Sequence, residues 1–239
     1  MGEHNPFEPR KVVSRRGGRV KEPLSHAAIV DKAFELLTEH GLEGMSLRSV
    51  AKALDTGPAS LYVYVDDLSQ LHALVLDRAL AKVSTKAARH KSWEERLHAV
   101  LGSYYQVLTQ HRGLAQLAMS TIAAGPNALR FLETLLEILA EAGVDEPTAA
   151  WAVDLLMLYV TALAFEHSQR AKDLDPLAHV AGAIGAVSEA EYPRIHRVRA
   201  AIMSGGKARF AWTLRAIVEG ILRVPIDQEA LTRKLRRKS

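Results

Sequence analysis

Apolar residues recur along this chain at the spacing of helices and almost nowhere at the alternation of strands. Ile29, Val30, Ala33, Phe34 and Leu37 form one stripe behind Ser25, whose hydroxyl can cap a helix start, and Gly41 stands where a left-handed C-terminal cap ends it. A second helix is predicted after Ser46, over Leu47 to Leu54, with Val50 and Leu54 facing inward. Asp55, Thr56 and Gly57 then make a tight turn, and Pro58 occupies a first helical position, where its missing N–H costs nothing. The third helix runs from Pro58 to about Val65, and a fourth from near Asp67 to about Arg89. Beyond residue 90, Gly, Pro and short polar breaks divide the chain into about six more helical pieces, with no internal repeat. The most apolar of these, Ala149 to Arg170, spans roughly 33 Å at about 1.5 Å per residue. Neither sustained alternation nor an Asn-Gly or Asp-Gly hairpin turn appears, so the expected fold class is all-α.

Composition narrows the chemistry. The 239 residues are 48% hydrophobic and 24% charged, as in an ordinary globular protein with a real core. With no cysteine there is no disulfide framework, no Cys-ligated zinc, no iron–sulfur cluster and no thiol nucleophile. No apolar signal region opens the chain, which makes a cytoplasmic location the expectation. The longest apolar stretch, Ala149 to Phe165, falls short of a membrane span and carries Asp154 and Thr161, so it is expected to be a buried helix, and no membrane partner is expected. The net charge of +4 is concentrated at the two ends. Arg10, Lys11, Arg15, Arg16, Arg19 and Lys21 outnumber the acids of the first 24 residues, and Arg233, Lys234, Arg236, Arg237 and Lys238 crowd the last sixteen. Either arm is composed to meet a polyanion or merely to stay solvated.

Two short helices joined by a three-residue turn and preceded by a stabilising helix make a helix-turn-helix. The strings Ser46-Leu47-Arg48-Ser49-Val50-Ala51-Lys52-Ala53-Leu54, Gly57-Pro58-Ala59-Ser60-Leu61-Tyr62-Val63-Tyr64-Val65 and Leu71 to Leu80 resemble the N-terminal DNA-binding domain of the TetR family of bacterial repressors. Independently of that resemblance, Pro58, Ala59 and Ser60 are small enough to let a helix start approach base edges. Ser60 can bond a base edge or a phosphate, and Ala59 can pack on a thymine methyl. Arg48 is suited to guanine or phosphate, the alternative being a surface ion pair. Tyr62 and Tyr64 carry hydroxyls suited to phosphate oxygens, which the resemblance also implies, while either ring could instead fill the small core. Asp55 replaces a glycine usual in the family's turn, and Leu68, after Asp66 and Asp67, replaces a frequent lysine. The arm carrying Arg15, Arg16 and Arg19 is expected to make up the lost attraction; its deletion would then flatten the salt dependence of binding.

The domain boundaries that follow are 1–24 for a flexible basic arm, 25–80 for the DNA-binding domain, 81–223 for a helical ligand-binding and dimerisation domain, and 224–239 for a basic tail. One helix-turn-helix reads one half-site, so a symmetric homodimer on a palindromic double-stranded operator is expected. Two segments suit a dimer interface: Ala149 to Phe165, including Ala162, and Lys207 to Leu222, with Phe210, Trp212, Leu214, Ile217, Val218 and Ile221. The family pairs two corresponding helices as a four-helix bundle; purely internal packing is the alternative. Tyr104, Met119, Trp151, Asp154, Met157 and Phe165 supply the residue types of a small-molecule pocket. A buried Asp154 must be paired, cap a backbone or receive a lipophilic cation.

Gly205-Gly206-Lys207-Ala208 lacks the hydroxyl residue of a phosphate loop, and neither His-Glu-x-x-His nor Gly-x-Ser-x-Gly occurs. The expectation is therefore no enzyme, no cofactor and no metal, but a ligand-released repressor. An activator, a regulator without small-molecule control, or a helical protein-interaction scaffold are the rivals.

Overall fold

The computed structural model describes residues 24–86, 92–170 and 175–227. Among them every regular element is helical: α1 (His26–His40), a 3-10 turn (Leu42–Gly44), α2 (Leu47–Ala53), α3 (Pro58–Leu61), α4 (Leu68–Leu80), α5 (Trp93–Gln110), α6 (Leu114–Ser120), α7 (Pro126–Glu141), α8 (Glu146–Arg170), α9 (Asp175–Gly185), α10 (Pro193–Ile202) and α11 (Gly206–Arg223). The all-α expectation holds. Among the described residues seven helices follow residue 90, against about six expected, and two early helices end sooner than the spacing predicted. Past Leu61 the chain tightens, with the Tyr64 N–H bonding back three residues to Leu61 O at 2.8 Å, which ends α3. Past Leu80, Lys82 and Val83 bond back three residues to Ala79 and Leu80, both at 3.0 Å, and α4 stops well before Arg89.

Helix starts obey local chemistry. The Ser25 hydroxyl accepts from the Ala28 N–H at 3.1 Å, and Ser46 and Ser49 satisfy each other's backbone N–H groups in a reciprocal capping pair. Pro58 takes the first position of α3, and the Asp67 carboxylate accepts from Gln70 N–H at 2.8 Å to open α4. Gly41 ends α1 with φ 79°, and its N–H reaches Leu37 O at 2.8 Å.

The chain divides into two compact units, residues 1–86 with 102–134, and residues 87–101 with 135–239. In the first, α1 packs on α2 and α4, α2 on α3, and α4 on α6. Ile29, Ala33, Leu37, Val50, Leu61, Leu71 and Val75 are fully buried there. Gly113, at φ 77°, opens α6 so close to the end of α1 that an added Cβ would lie 2.9 Å from both Leu37 Cδ1 and the Leu42 nitrogen. Asp77, nearly buried on α4, accepts three hydrogen bonds at the start of α7: from Asn127 N–H at 3.1 Å, Ala128 N–H at 2.8 Å and Asn127 Nδ2 at 2.8 Å. A carboxylate there answers both the unpaired amides and the positive end of the helix dipole.

In the second unit α8 packs on α11. Ala152, Val153, Leu156, Val160 and Ala164 are buried along α8, as are Leu214, Val218 and Ile221 on α11. The Ile226 N–H donates to Thr148 Oγ1 at 2.9 Å, and Arg96 on α5 pairs with Glu141 on α7. Glu146–Gln169 is long and apolar enough to cross a membrane by length and composition, with 44% of an 18-residue window of it buried within the chain. The expected buried helix has one face in the core, while Trp151, Leu155, Leu158 and Ala162 are exposed.

Candidate DNA-binding, dimer and effector surfaces

The helix-turn-helix rests on a few buried anchors. Val50 and Ala51 hold α2 inward, and Leu61 and Val65 hold the other helix. Between them Thr56 N–H bonds to Ala51 O at 2.9 Å, and Asp55 takes φ 49°, the left-handed conformation expected of it. Pro58, Ala59 and Ser60 are exposed at the head of α3, and Arg48 and Lys52 are exposed one turn apart on α2. Lys52 was missed in the reading of the sequence, although its place four residues after Arg48 puts both cations on one helix side.

The two tyrosines separate. Tyr62 is 53% exposed, free to meet phosphate. Tyr64 is 8% exposed, and its hydroxyl donates to Leu24 O at 2.6 Å. The DNA-backbone role expected for Tyr64 is thus corrected: its hydroxyl is spent inside the domain, where an unpaired buried O–H would be costly. Arg15, Arg16 and Arg19 lie outside the described residues.

In the same unit Phe34, Lys82 and His111 cluster. The Lys82 ammonium lies 5.0 Å from the Phe34 ring centre and 3.2 Å from His111 Nε2, and Phe34 and His111 meet edge to face. Burial, then the Lys82 charge, lowers the His111 pKa; burial likewise lowers that of His72, against a smaller opposing pull from Asp67.

The candidate pocket residues scatter. Tyr104 is buried in the first unit, its ring tilted on Phe131 at 4.9 Å, and Met119 in the same unit is partly exposed. Met157 and Phe165 are half-buried on α8. Trp151, 61% exposed, and Asp154, also exposed, require correction as pocket residues. They share the outward face of α8 with Leu155 and Leu158, because a helix apolar all round gives no periodic sign of which side turns in. Asp154 is therefore not a buried carboxylate within its subunit, and the case for a lipophilic cation loses its premise.

Of the expected interface residues, Leu214, Val218 and Ile221 are corrected, since they face their own core, while Ile217 is half-buried and half-buried Phe210 lies edge-on to His98 at 5.6 Å and near-parallel to Tyr159 at 6.3 Å. Ala162 does look outward. Trp212, named in the same segment, is 69% exposed, and Leu222 is exposed with it. A groove of about 810 Å³ runs between the start of α5 and α11 and is lined by none of the six expected pocket residues. Leu97, Leu214 and Val218 form its apolar floor, with Glu94, Glu95 and Glu219 along its sides.

A capped helix-turn-helix carried on an all-helical body defines the class of a helical regulatory protein. Residues 29–65 match the family model described as bacterial regulatory proteins, tetR family, and residues 87–224 match the tetracyclin repressor-like C-terminal domain. The chain belongs to the TetR family. It is 31% identical over 152 residues to the HTH-type transcriptional repressor DrrR1 of Streptomyces coeruleorubidus, a match covering 63% of this chain and 56% of DrrR1. It thus spans little more than half the length of that relative. Among solved structures, SCO7704 of Streptomyces coelicolor is 38% identical with a TM-score of 0.72, over 87% of this chain and 98% of that one. The TetR family protein ActR of Streptomyces coelicolor, solved in complex with (S)-DNPA, is 30% identical with a TM-score of 0.77, over 85% and 99%.

Proposed function

We propose that this chain is a DNA-binding transcriptional repressor that grips a palindromic operator as a homodimer and is released by a small molecule. The observation that carries the reading is the exposed set Pro58, Ala59, Ser60 and Tyr62, held out from the domain by buried Leu61, Tyr64 and Val65. Small side chains at a helix start would admit it to the major groove, and exposed Tyr62, Arg48 and Lys52 are the side chains that would take phosphates. The basic arm, with Arg15, Arg16 and Arg19, adds sequence-independent attraction. Kinship with DrrR1, named a transcriptional repressor, supports repression over activation. The complexes of ActR with (S)-DNPA and with actinorhodin support a small-molecule effector here. Dimerisation is supported by the outward apolar faces of α8 and α11, which a lone subunit would leave to water. The protein is read as cytoplasmic and without catalytic activity.

The test is a salt-titrated mobility shift with DNA flanking the protein's own gene. Binding that favours one inverted repeat by at least a hundredfold over random duplex, and that weakens when actinorhodin is added as a first effector probe, is the expected result. Equal affinity for all sequences would refute the regulator reading. Sequence-specific binding unmoved by a broad small-molecule panel would refute only the effector.

A further inference from the structure

Among the described residues 24–86, the large apolar side chains that stand exposed are Tyr62 and, at 47%, Val63. Tyr62 has a hydroxyl to offer a phosphate. Val63 has none, and neither the core nor the phosphate contacts account for it.

Its place follows from the winding of the backbone. Past the end of α3 the chain still turns in the helical sense: Val65 N–H bonds to Leu61 O at 3.0 Å, and Tyr62 has φ −64° and ψ −12°. At about 100° per residue, buried Leu61, Tyr64 and Val65 fall within one arc, the side that faces the domain. The direction opposite that arc lies between Ala59 and Val63, which are one turn apart, with Tyr62 on one flank and Ser60 on the other. Ala59 and Val63 are therefore the most outward line of this element, and both are exposed.

The central line of a helix in the major groove meets base edges, while its flanks meet the sugar-phosphate backbones. Neither Ala59 nor Val63 has a side-chain donor or acceptor, so neither can read a base by hydrogen bonding. The apolar group that a base pair presents in that groove is the C5 methyl of thymine. A valine suits it, because a β-branched side chain is already stiff and loses little freedom on contact.

We propose that Val63 is a specificity-determining residue, packing its isopropyl group on the C5 methyl of one thymine in each half-site. The inference rests on the operator-binding reading and deepens it by naming the base that this position selects. A cytosine there offers no methyl and leaves the valine without its apolar partner.

Deoxyuridine differs from thymidine by that methyl alone, so the contact can be removed without altering base pairing. Each thymine of the preferred inverted repeat is replaced in turn by deoxyuridine, symmetrically in both half-sites, and mobility shifts are titrated with the full parent chain and with Val63→Ala. Thermal melts confirm that the variant is folded. At one thymine per half-site the replacement should weaken the parent about fourfold per half-site, the worth of one buried methyl. Val63→Ala should bind the unmodified repeat more weakly and be indifferent to the replacement at that position, while responding as the parent does elsewhere. A parent indifferent to every replacement, or a Val63→Ala variant with the parent's full set of sensitive thymines, overturns the proposal and leaves operator binding standing. So does equal weakening of Val63→Ala on the repeat and on random duplex, which would put Val63 against deoxyribose. If no duplex is preferred at all, the operator reading itself falls and takes the proposal with it.

Discussion

Tyr62 and Tyr64 are two residues apart with the same side chain, yet their surroundings give them opposite work. The Tyr64 hydroxyl is bonded to Leu24 O inside the domain, while Tyr62 stands in solvent beside Ser60. Tyr64→Phe should lower stability by about 1 kcal/mol, the net worth of one buried hydrogen bond, and leave the affinity of folded protein for DNA unchanged. Tyr62→Phe should do the reverse: unaltered thermal unfolding and an affinity several times weaker for all sequences, since a phosphate contact carries no base information. Calorimetry and mobility shifts on the two variants read both halves. A second residue-scale consequence concerns acid. His111 and His72 have folded pKa values below the ordinary 6.5, so the unfolded chain binds more protons as pH falls through that value. Stability should therefore be complete above about pH 6.5 and decline below it. His111→Gln, which also removes the repulsion with Lys82 that protonation would bring, should shrink that decline in urea melts taken between pH 7 and pH 5.

At the level of helices, the connection worth breaking is Asp77. Its carboxylate spans from α4 to the first amides of α7, and its removal would leave Asn127 and Ala128 N–H groups without a partner in a nearly closed site. Asp77→Ala should cost about 2 kcal/mol, combining a lost cap with hydrogen bonds to a charged group. Asp77→Asn should cost less, because one carbonyl oxygen can still accept while its amide opposes Asn127 Nδ2. Hydrogen exchange should quicken first at Asn127 and Ala128; protection there equal to the parent's would remove the cap from the account. Element boundaries were legible to the same degree as their local chemistry. Ser25, Ser46 and Pro58 start helices because the groups that satisfy them lie within four residues. The ends of α3 and α4 were overestimated, since tightening bonds at Tyr64 and Lys82 depend on packing that no spacing rule contains.

For the assembled molecule, the decisive surface is the outward side of α8 and α11. Trp151, Leu155 and Leu158 on α8 and Trp212 on α11 are exposed apolar side chains on two helices that pack together. Leu158→Glu would place a charge where the dimer reading requires burial, and should raise the dimer dissociation constant at least a hundredfold. Operator affinity should fall with it, because one half-site contact cannot replace two. Sedimentation of the variant checks this, and a dimer as tight as the parent's would move the interface elsewhere.

All-helical architecture, the helix-turn-helix and the positions of its caps were determined by the order of residues alone, since each depends on neighbours three or four positions away. The resemblance of the Leu61 to Val65 string to the TetR family was legible for the same reason. The side of α8 and α11 that turns inward, the separate fates of Tyr62 and Tyr64, the exposure of Asp154 and the groove beside α5 were decided only by tertiary structure. A helix apolar on every side has no preferred inward direction until other helices cover part of it, and a hydroxyl has no assigned partner until a distant carbonyl is brought within reach.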